Sequence, residues 1–367
     1  MLHSRVIVWL LGTFLMGALL VKLWSAEKSA IREINHHPSL HGSKLDGREN
    51  ATFITLAQNS DLEKLMTPIQ AVEDRFNHKY HYDWVFLNNK PFSDEFKQTV
   101  SRIVSGEAKF GTIEKEHWSY PDWIDQQKAA QDRKKLEEEN VIYGGSESYR
   151  HMCRFESGFF FQHELMKDYK YYWRVEPETE LLCDIDYDVF EFMRKNKKKY
   201  GWTLSITEWE KTIPTLWKTT KEFLDKHPDY VHPNAMKKFV SEQDDLDKYT
   251  LCHFWSNFEV ADMDFWRDTV YQEYFNHLDK SGGFFYERWG DAPVHSIAAA
   301  LFMDQDEVHF FDDIGYRHPP FQHCPNFQEE RGLKCHCAPS WSFDWHDSSC
   351  LRTYIDAKGL EHPKDYH

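Results

Sequence analysis

The chain has 367 residues, of which 41% are hydrophobic and 16% aromatic, with only 16 Gly and 14 Pro. That composition suits one large folded domain or two average ones and excludes a disordered or low-complexity polymer. A formal charge of −16 excludes a nucleic-acid binder, because phosphate binding needs a basic footprint; any nucleotide phosphate must be met by a metal, a few Arg or backbone amides.

In chain order, residues 1–5 precede sixteen residues without a charge, Val6 to Val21, and Lys22 can snorkel so that the run extends to Trp24. At ~1.5 Å per residue this stretch spans roughly 24–28 Å, enough for a thin secretory membrane. A cleaved signal peptide is the rival, but Leu23-Trp24-Ser25 is a poor cleavage site, so an uncleaved anchor over 6–24 is favoured. Arg5 places the tail 1–5 in the cytoplasm and the bulk in a lumen. Residues 25–50 are polar and read as a stem, ending at the glycosylation sequon Asn50-Ala51-Thr52.

The body, 51–367, begins with Ala51-Thr-Phe-Ile-Thr-Leu-Ala57, a strand, followed by apolar residues at helical spacing from Leu62 to Phe76 and a second strand over 82–88. Strand, helix, strand at this length predicts a βαβ unit and an α/β class with a mostly parallel sheet. A charged helix is predicted over 124–140. From Ser148 the pattern repeats: Tyr149 to Phe155 leads into an apolar helix over 159–165, and 171–177 is a strand ended by Pro177. Further on, 201–207 reads as a strand, and 189–194, 234–240 and 294–302 as helices. Of seven cysteines, four (Cys324, Cys335, Cys337, Cys350) crowd the last stretch. Disulfides are favoured over zinc there because Cys335-His336-Cys337 is too tight for the usual ligand pair, and an odd total leaves at least one thiol unpaired.

Chemistry is expected beyond the carboxyl ends of the strands. Glu176 lies there, the alternative being a strand-end carboxylate paired with Arg174. Asp184-Ile185-Asp186 has the Asp-x-Asp form that bridges a divalent cation to a diphosphate, and residue type alone favours it as the metal site. Leu251-Cys252-His253-Phe254-Trp255-Ser256-Asn257-Phe258-Glu259 embeds one carboxylate in apolar surroundings, where it is either structural or kept dry for chemistry. In Tyr286-Glu287-Arg288-Trp289-Gly290-Asp291-Ala292-Pro293-Val294-His295, Asp291 precedes a helix entered at Pro293, a position typical of an N-cap. Asp312-Asp313-Ile314-Gly315-Tyr316-Arg317-His318-Pro319-Pro320 offers His318 as a metal ligand.

Taken together, Tyr149-Arg-His-Met-Cys-Arg, Tyr-Trp-Arg-Val-Glu-Pro and the Glu259 and Asp291 strings resemble the fungal α-1,2-mannosyltransferases of glycosyltransferase family 15, from about Ala51 to the C-terminus. The resemblance implies a type II Golgi membrane protein with a GT-A-like fold. It also implies GDP-mannose as donor, Mn²⁺ as cofactor, a mannosylated glycoprotein glycan as acceptor and retention of configuration. It assigns the metal to Glu176 and His318, which makes Asp184 and Asp186 structural and reverses the reading from residue type. It further assigns Tyr149 and Arg174 to the donor side, Glu259 to a candidate nucleophile and Asp291 to the acceptor hydroxyl. Gln58, at the end of the first strand, stands where the family usually has Arg. Mannosyl-phosphate transfer, an inactive mannose-binding lectin and a metal-dependent glycoside hydrolase are the alternatives.

Overall fold

Of the run 51–57, Ala51–Leu56 enters the core as a strand, buried along its length up to the half-buried Leu56. The computed structural model describes residues 47–243 and 246–362. The expected tail, anchor and all but the last residues of the stem lie outside them. Among the described residues no helix is long and apolar enough to cross a membrane.

The strands are β1 (Ala51–Leu56), β2 (Asp83–Asn88), β3 (Ala108–Thr112), β4 (Tyr171–Arg174), β5 (Glu180–Leu181), β6 (Tyr200–Trp202), β7 (Ser205–Thr207), β8 (Cys252–Phe254), β9 (Glu259–Asp262), β10 (Val308–Phe310), β11 (Tyr316–His318) and β12 (Phe321–His323). Seven form one sheet in the order β10-β6-β9-β4-β1-β2-β3. All its pairings are parallel except those of β9, which runs antiparallel to both β4 and β6. Both faces are covered, as such a sheet requires. Phe53, Trp84 and Trp173 point to one face, with helices Leu62–Arg75 and Val189–Lys195. Ile54, Val85 and Tyr172 point to the other, with helices Glu147–Gly158 and Asp291–Phe302. The small sheet β12-β11-β5 sits beside the carboxyl end of β4.

Several expected elements moved. The segment 149–155 is not a lead-in to a helix but the helix itself, Glu147–Gly158, capped by Ser146 Oγ accepting from Tyr149 N at 3.1 Å. The apolar run 159–165 forms only short 3₁₀ turns. Hydrophobic periodicity missed that helix because its buried face carries Arg150, His151, Arg154 and Glu156. The predicted strand 201–207 breaks into β6 and β7, which belong to different sheets. Of 234–240 only Lys237–Val240 is helical. The helix expected over 294–302 starts at Asp291, so Gly290 holds the cap position and Asp291 is the first helical residue.

The tail cysteines are bridged, two of them to the body: Cys183–Cys335, Cys252–Cys350 and Cys324–Cys337. The bridge from β8 to Cys350 anchors the terminal helix Leu351–Ala357 against the core. Cys153 keeps a buried free thiol.

Candidate active site

The carboxyl end of β4 is where charge concentrates. Arg174, its last residue, is 6% exposed and its guanidinium reaches three carboxyls. Nη1 donates to Asp291 Oδ2 at 2.5 Å, Nη2 donates to Glu176 Oε1, and Glu156 Oε2 stands 4.0 Å from Nη1. A buried guanidinium needs such partners, and its planar fork is built to hold more than one carboxylate.

Asp291 is placed by its helix. Ser256 Oγ donates to the same Oδ2 at 2.6 Å, while no donor among the described residues reaches Oδ1. Burial pushes its carboxyl up, but Arg174, His295 and Ser256 outweigh that and hold it below the usual range. Asp291 is therefore an anion at neutral pH, with one oxygen available to a ligand hydroxyl.

Glu259 is opposite Arg174 in the β4–β9 register but is fully buried. Its carboxyl accepts from Tyr172 Oη, from Tyr200 Oη at 2.8 Å and pairs with His295 Nδ1 at 2.9 Å. Burial lowers the His295 pKa, but Glu259 and Asp291 raise it above its usual value.

Tyr149 lies in the first turn of the Glu147–Gly158 helix. Its hydroxyl accepts from Arg288 Nη1 at 3.1 Å, and Tyr143 stacks on its ring at 4.4 Å. Burial raises its phenol well above the usual value, so it remains a neutral hydroxyl.

Glu176 and His318, distant in sequence, both border the small sheet, Glu176 ahead of β5 and His318 at the end of β11. β11 pairs with β5 so that Tyr316 faces Leu181 and Arg317 faces Glu180. The Thr179 hydroxyl donates to the Glu176 carbonyl at 2.8 Å. The Glu176 side chain is 26% exposed, and the His318 ring packs on Trp255 at 4.9 Å. Among the described residues no cluster of three or more metal-binding side chains exists. A cation held by this carboxylate and imidazole would therefore take further oxygens from a ligand.

The Asp-x-Asp motif is elsewhere in use. Asp184 pairs with Arg75 and Asp186 with Lys79, each at 2.7 Å, clamping the Leu62–Arg75 helix and the turn after it. Gln58 is exposed just past β1, where its N–H donates to Asp61 Oδ2 at 2.8 Å. Asn50 is exposed ahead of β1 and its amide donates to Asp168 O at 2.5 Å. A cleft of about 800 Å³ opens along the β3 edge between Thr112 and His163, and none of the residues above lines it.

The sequence profile of the glycolipid 2-alpha-mannosyltransferase family matches residues 22–359. The chain belongs to this family. It is 58% identical to the α-1,2-mannosyltransferase KTR1 of Saccharomyces cerevisiae, over 86% of this chain and 80% of that protein. The fold matches core-mannan synthase A (CmsA/Ktr4) of Aspergillus fumigatus in its Mn/GDP form, with a TM-score of 0.81 and 41% identity over 87% of this chain and 88% of that one. It also matches the S. cerevisiae mannosyltransferase Ktr4p in complex with GDP, with a TM-score of 0.83 and 38% identity over 92% and 91% of the two chains. The chain is accordingly an enzyme of the mannosyltransferase class, and its mixed, mostly parallel sheet is that of the family.

Several residues of this candidate site were not singled out in the sequence. Ser256, Arg288 and His295 stand inside motif strings already quoted, but nothing in the strings distinguished them. Tyr172 reads as an ordinary strand aromatic, and Tyr200 lies one residue ahead of the strand predicted over 201–207. Glu156 was hidden with its helix; once that helix is seen, its place seven residues after Tyr149 puts it on the same face.

Glu156 is 2% exposed, and burial pushes its carboxyl up to about 7; Asp291 and Glu176 push the same way, Arg174 opposes, and His295 opposes more weakly. A native state with a raised carboxyl pKa binds more protons than the unfolded chain between the usual 4.5 and about 7. Stability is therefore expected to fall across that window as pH rises, by on the order of 3 kcal/mol from this group. The raised His295 pKa acts with the same sign above 6.5. Denaturant midpoints at pH 5 and 8 check this: Glu156→Gln should flatten the difference, and an undiminished slope would count against it.

Proposed function

We propose that the protein transfers mannose from GDP-mannose, with retention, to form α-1,2 linkages on O-linked or N-linked glycans of glycoproteins. It would do so in the Golgi lumen, held by a single-pass anchor over 6–24 and a stem over 25–50, with a GT-A-like catalytic body. The observation that carries this reading is the end of β4, where Arg174 joins Glu176 to Asp291 beside the small sheet that carries His318.

Glu176 and His318 fit a divalent ion such as Mn²⁺: a carboxylate and an imidazole, completed by diphosphate oxygens, are a donor set that this borderline ion accepts. Bound there, the ion would neutralise charge on the departing diphosphate. Asp291 Oδ1 accepts a hydrogen bond from the acceptor hydroxyl and orients it toward the anomeric carbon. The Arg174 fork keeps Asp291 ionised and in place. In the transfer, the bond from the anomeric carbon to phosphate breaks, and one to the acceptor oxygen forms. The hydroxyl proton passes to the diphosphate on the same face of the sugar.

Glu259 suits this front-face route better than attack on the sugar. Its carboxylate is enclosed by Tyr172, Tyr200 and His295 and fully buried. It acts as a fixed negative charge that steadies positive charge on the sugar and anchors His295.

Incubating the purified lumenal body with GDP-mannose, Mn²⁺ and α-methyl mannoside tests the proposal. Release of GDP with a disaccharide supports it, and a mannosyl-phosphate product would move the assignment to the alternative transferase. Binding without turnover would make the protein a lectin. Hydrolysis of mannosides without donor would make it a glycosidase.

Gln58 stands past β1, on the nucleotide side implied by the fold, with no charge to offer a phosphate. Gln58→Arg is expected to tighten GDP binding about three- to tenfold in a calorimetric titration, the scale of one charge-assisted hydrogen bond. An unchanged Kd would remove this residue from the donor site.

A further inference from the structure

Glu156 is a buried carboxyl that the proposed reaction does not use. Among the described residues its one ion-pair partner is Arg174, and the 4.0 Å to Nη1 is too long for a hydrogen bond. The same guanidinium gives Nη2 to Glu176 and Nη1 to Asp291. Three carboxyls thus share one cation, and Glu156 is the one kept at a distance. The helix that carries Tyr149 aims it there: Tyr149, Cys153 and Glu156 fall at i, i+4 and i+7, along one face.

The Glu156 carboxyl accepts no hydrogen bond from the described residues, so its acceptor capacity is open to a second state. The second state is defined by Glu176, which has two demands on it. Its Oε1 now accepts from Arg174, and a divalent cation on the same carboxylate would draw off the negative charge that holds the guanidinium there. When Glu176 turns to the cation, the guanidinium loses one partner and gains a like-charged neighbour, so it is driven toward whatever anion remains within reach.

We propose that Glu156 is the alternate seat of the Arg174 guanidinium, which closes the 4.0 Å gap onto Glu156 when Glu176 leaves to hold a divalent cation, keeping Asp291 throughout. Glu156 is a positioning residue in this scheme. It touches neither cation nor sugar, and it makes Glu176 available without leaving Arg174 short of charge. The inference rests on the assignment of Glu176 to the cation.

The test is Mn²⁺ affinity, read from the free-ion EPR signal at saturating GDP, for the wild-type lumenal body and Glu156→Gln. Glutamine keeps the shape and loses the charge. Affinity is expected to weaken about five- to tenfold, the usual scale of coupling between linked groups, with Glu156→Asp falling between the two. Equal Mn²⁺ affinity in Glu156→Gln and wild type, with or without a change in melting temperature, overturns the proposal, since a purely structural role would move only the melt. A wild type that takes up no Mn²⁺ with GDP would instead remove the Glu176 assignment itself. Should the Gln variant not fold, a crystal structure of the wild type with Mn²⁺ and GDP decides. Arg174 within hydrogen-bond distance of Glu156 is expected, and an unclosed gap overturns the proposal.

Discussion

Glu176→Ala and His318→Ala are each expected to cut Mn²⁺-dependent mannosyl transfer by roughly a thousandfold while leaving the fold intact. The magnitude follows from the several kcal/mol that a bound cation contributes to a departing diphosphate, since each ~1.4 kcal/mol is a factor of ten in rate. Intact folding is expected because neither side chain is a core element. Glu176 is 26% exposed, and removing it leaves Arg174 with Asp291 and Glu156. His318 sits at the end of a short edge sheet and packs on one face of Trp255. Steady-state assays over an Mn²⁺ titration, paired with thermal melts, check both points. Full activity in either variant at low Mn²⁺ would remove that residue from the metal site. The Asp184→Asn and Asp186→Asn changes provide the contrast: they break surface ion pairs with Arg75 and Lys79 and should leave transfer close to wild type.

Arg174→Met is expected to be the most damaging single change to the fold among the site residues. It strands Asp291 at 5% exposure and Glu156 at 2% with no guanidinium between them. Removing one partner of a buried ionic group costs about 3–5 kcal/mol, which in a body of this size lowers the melting temperature by roughly 10 °C. The loss has a pH signature. Without Arg174 both carboxyl pKa values rise, so acid relieves the penalty by neutralising them. The variant should therefore approach wild-type stability at pH 5 and fall furthest behind above pH 7. Equal destabilisation at both pH values would mean that lost packing, not stranded charge, is the cause.

How much of this was legible varied with what each residue type signals. β1, β2 and the helix between them follow from period and burial, and the structure places them within a residue or two of the reading. The Glu147–Gly158 helix was lost because period detection assumes an apolar buried face, and this one buries Arg150, Arg154 and Glu156. Asp291 looked like a cap because helix onset was read from Pro293. The cap is Gly290, and the carboxyl is free to meet Arg174 instead. The Asp-x-Asp was a persuasive decoy on residue type alone. Its two carboxylates are each neutralised by a cation from the neighbouring helix region, which no spacing rule reveals.

By itself the sequence determined the class of sheet, the βαβ start of the body and, through four specific strings, the family to which the chain belongs. Those are properties of local pattern and residue identity, which survive without coordinates. Only the tertiary structure decided which carboxyls share Arg174, that Glu259 is sealed behind two tyrosines and a histidine, and that Cys153 is the thiol left over among the described cysteines. Those facts depend on long-range pairing, in which β9 reverses beside β4 and β11 folds back onto β5. Charge balance inside a protein is set by distances of a few ångström between residues a hundred positions apart, and no local pattern encodes them.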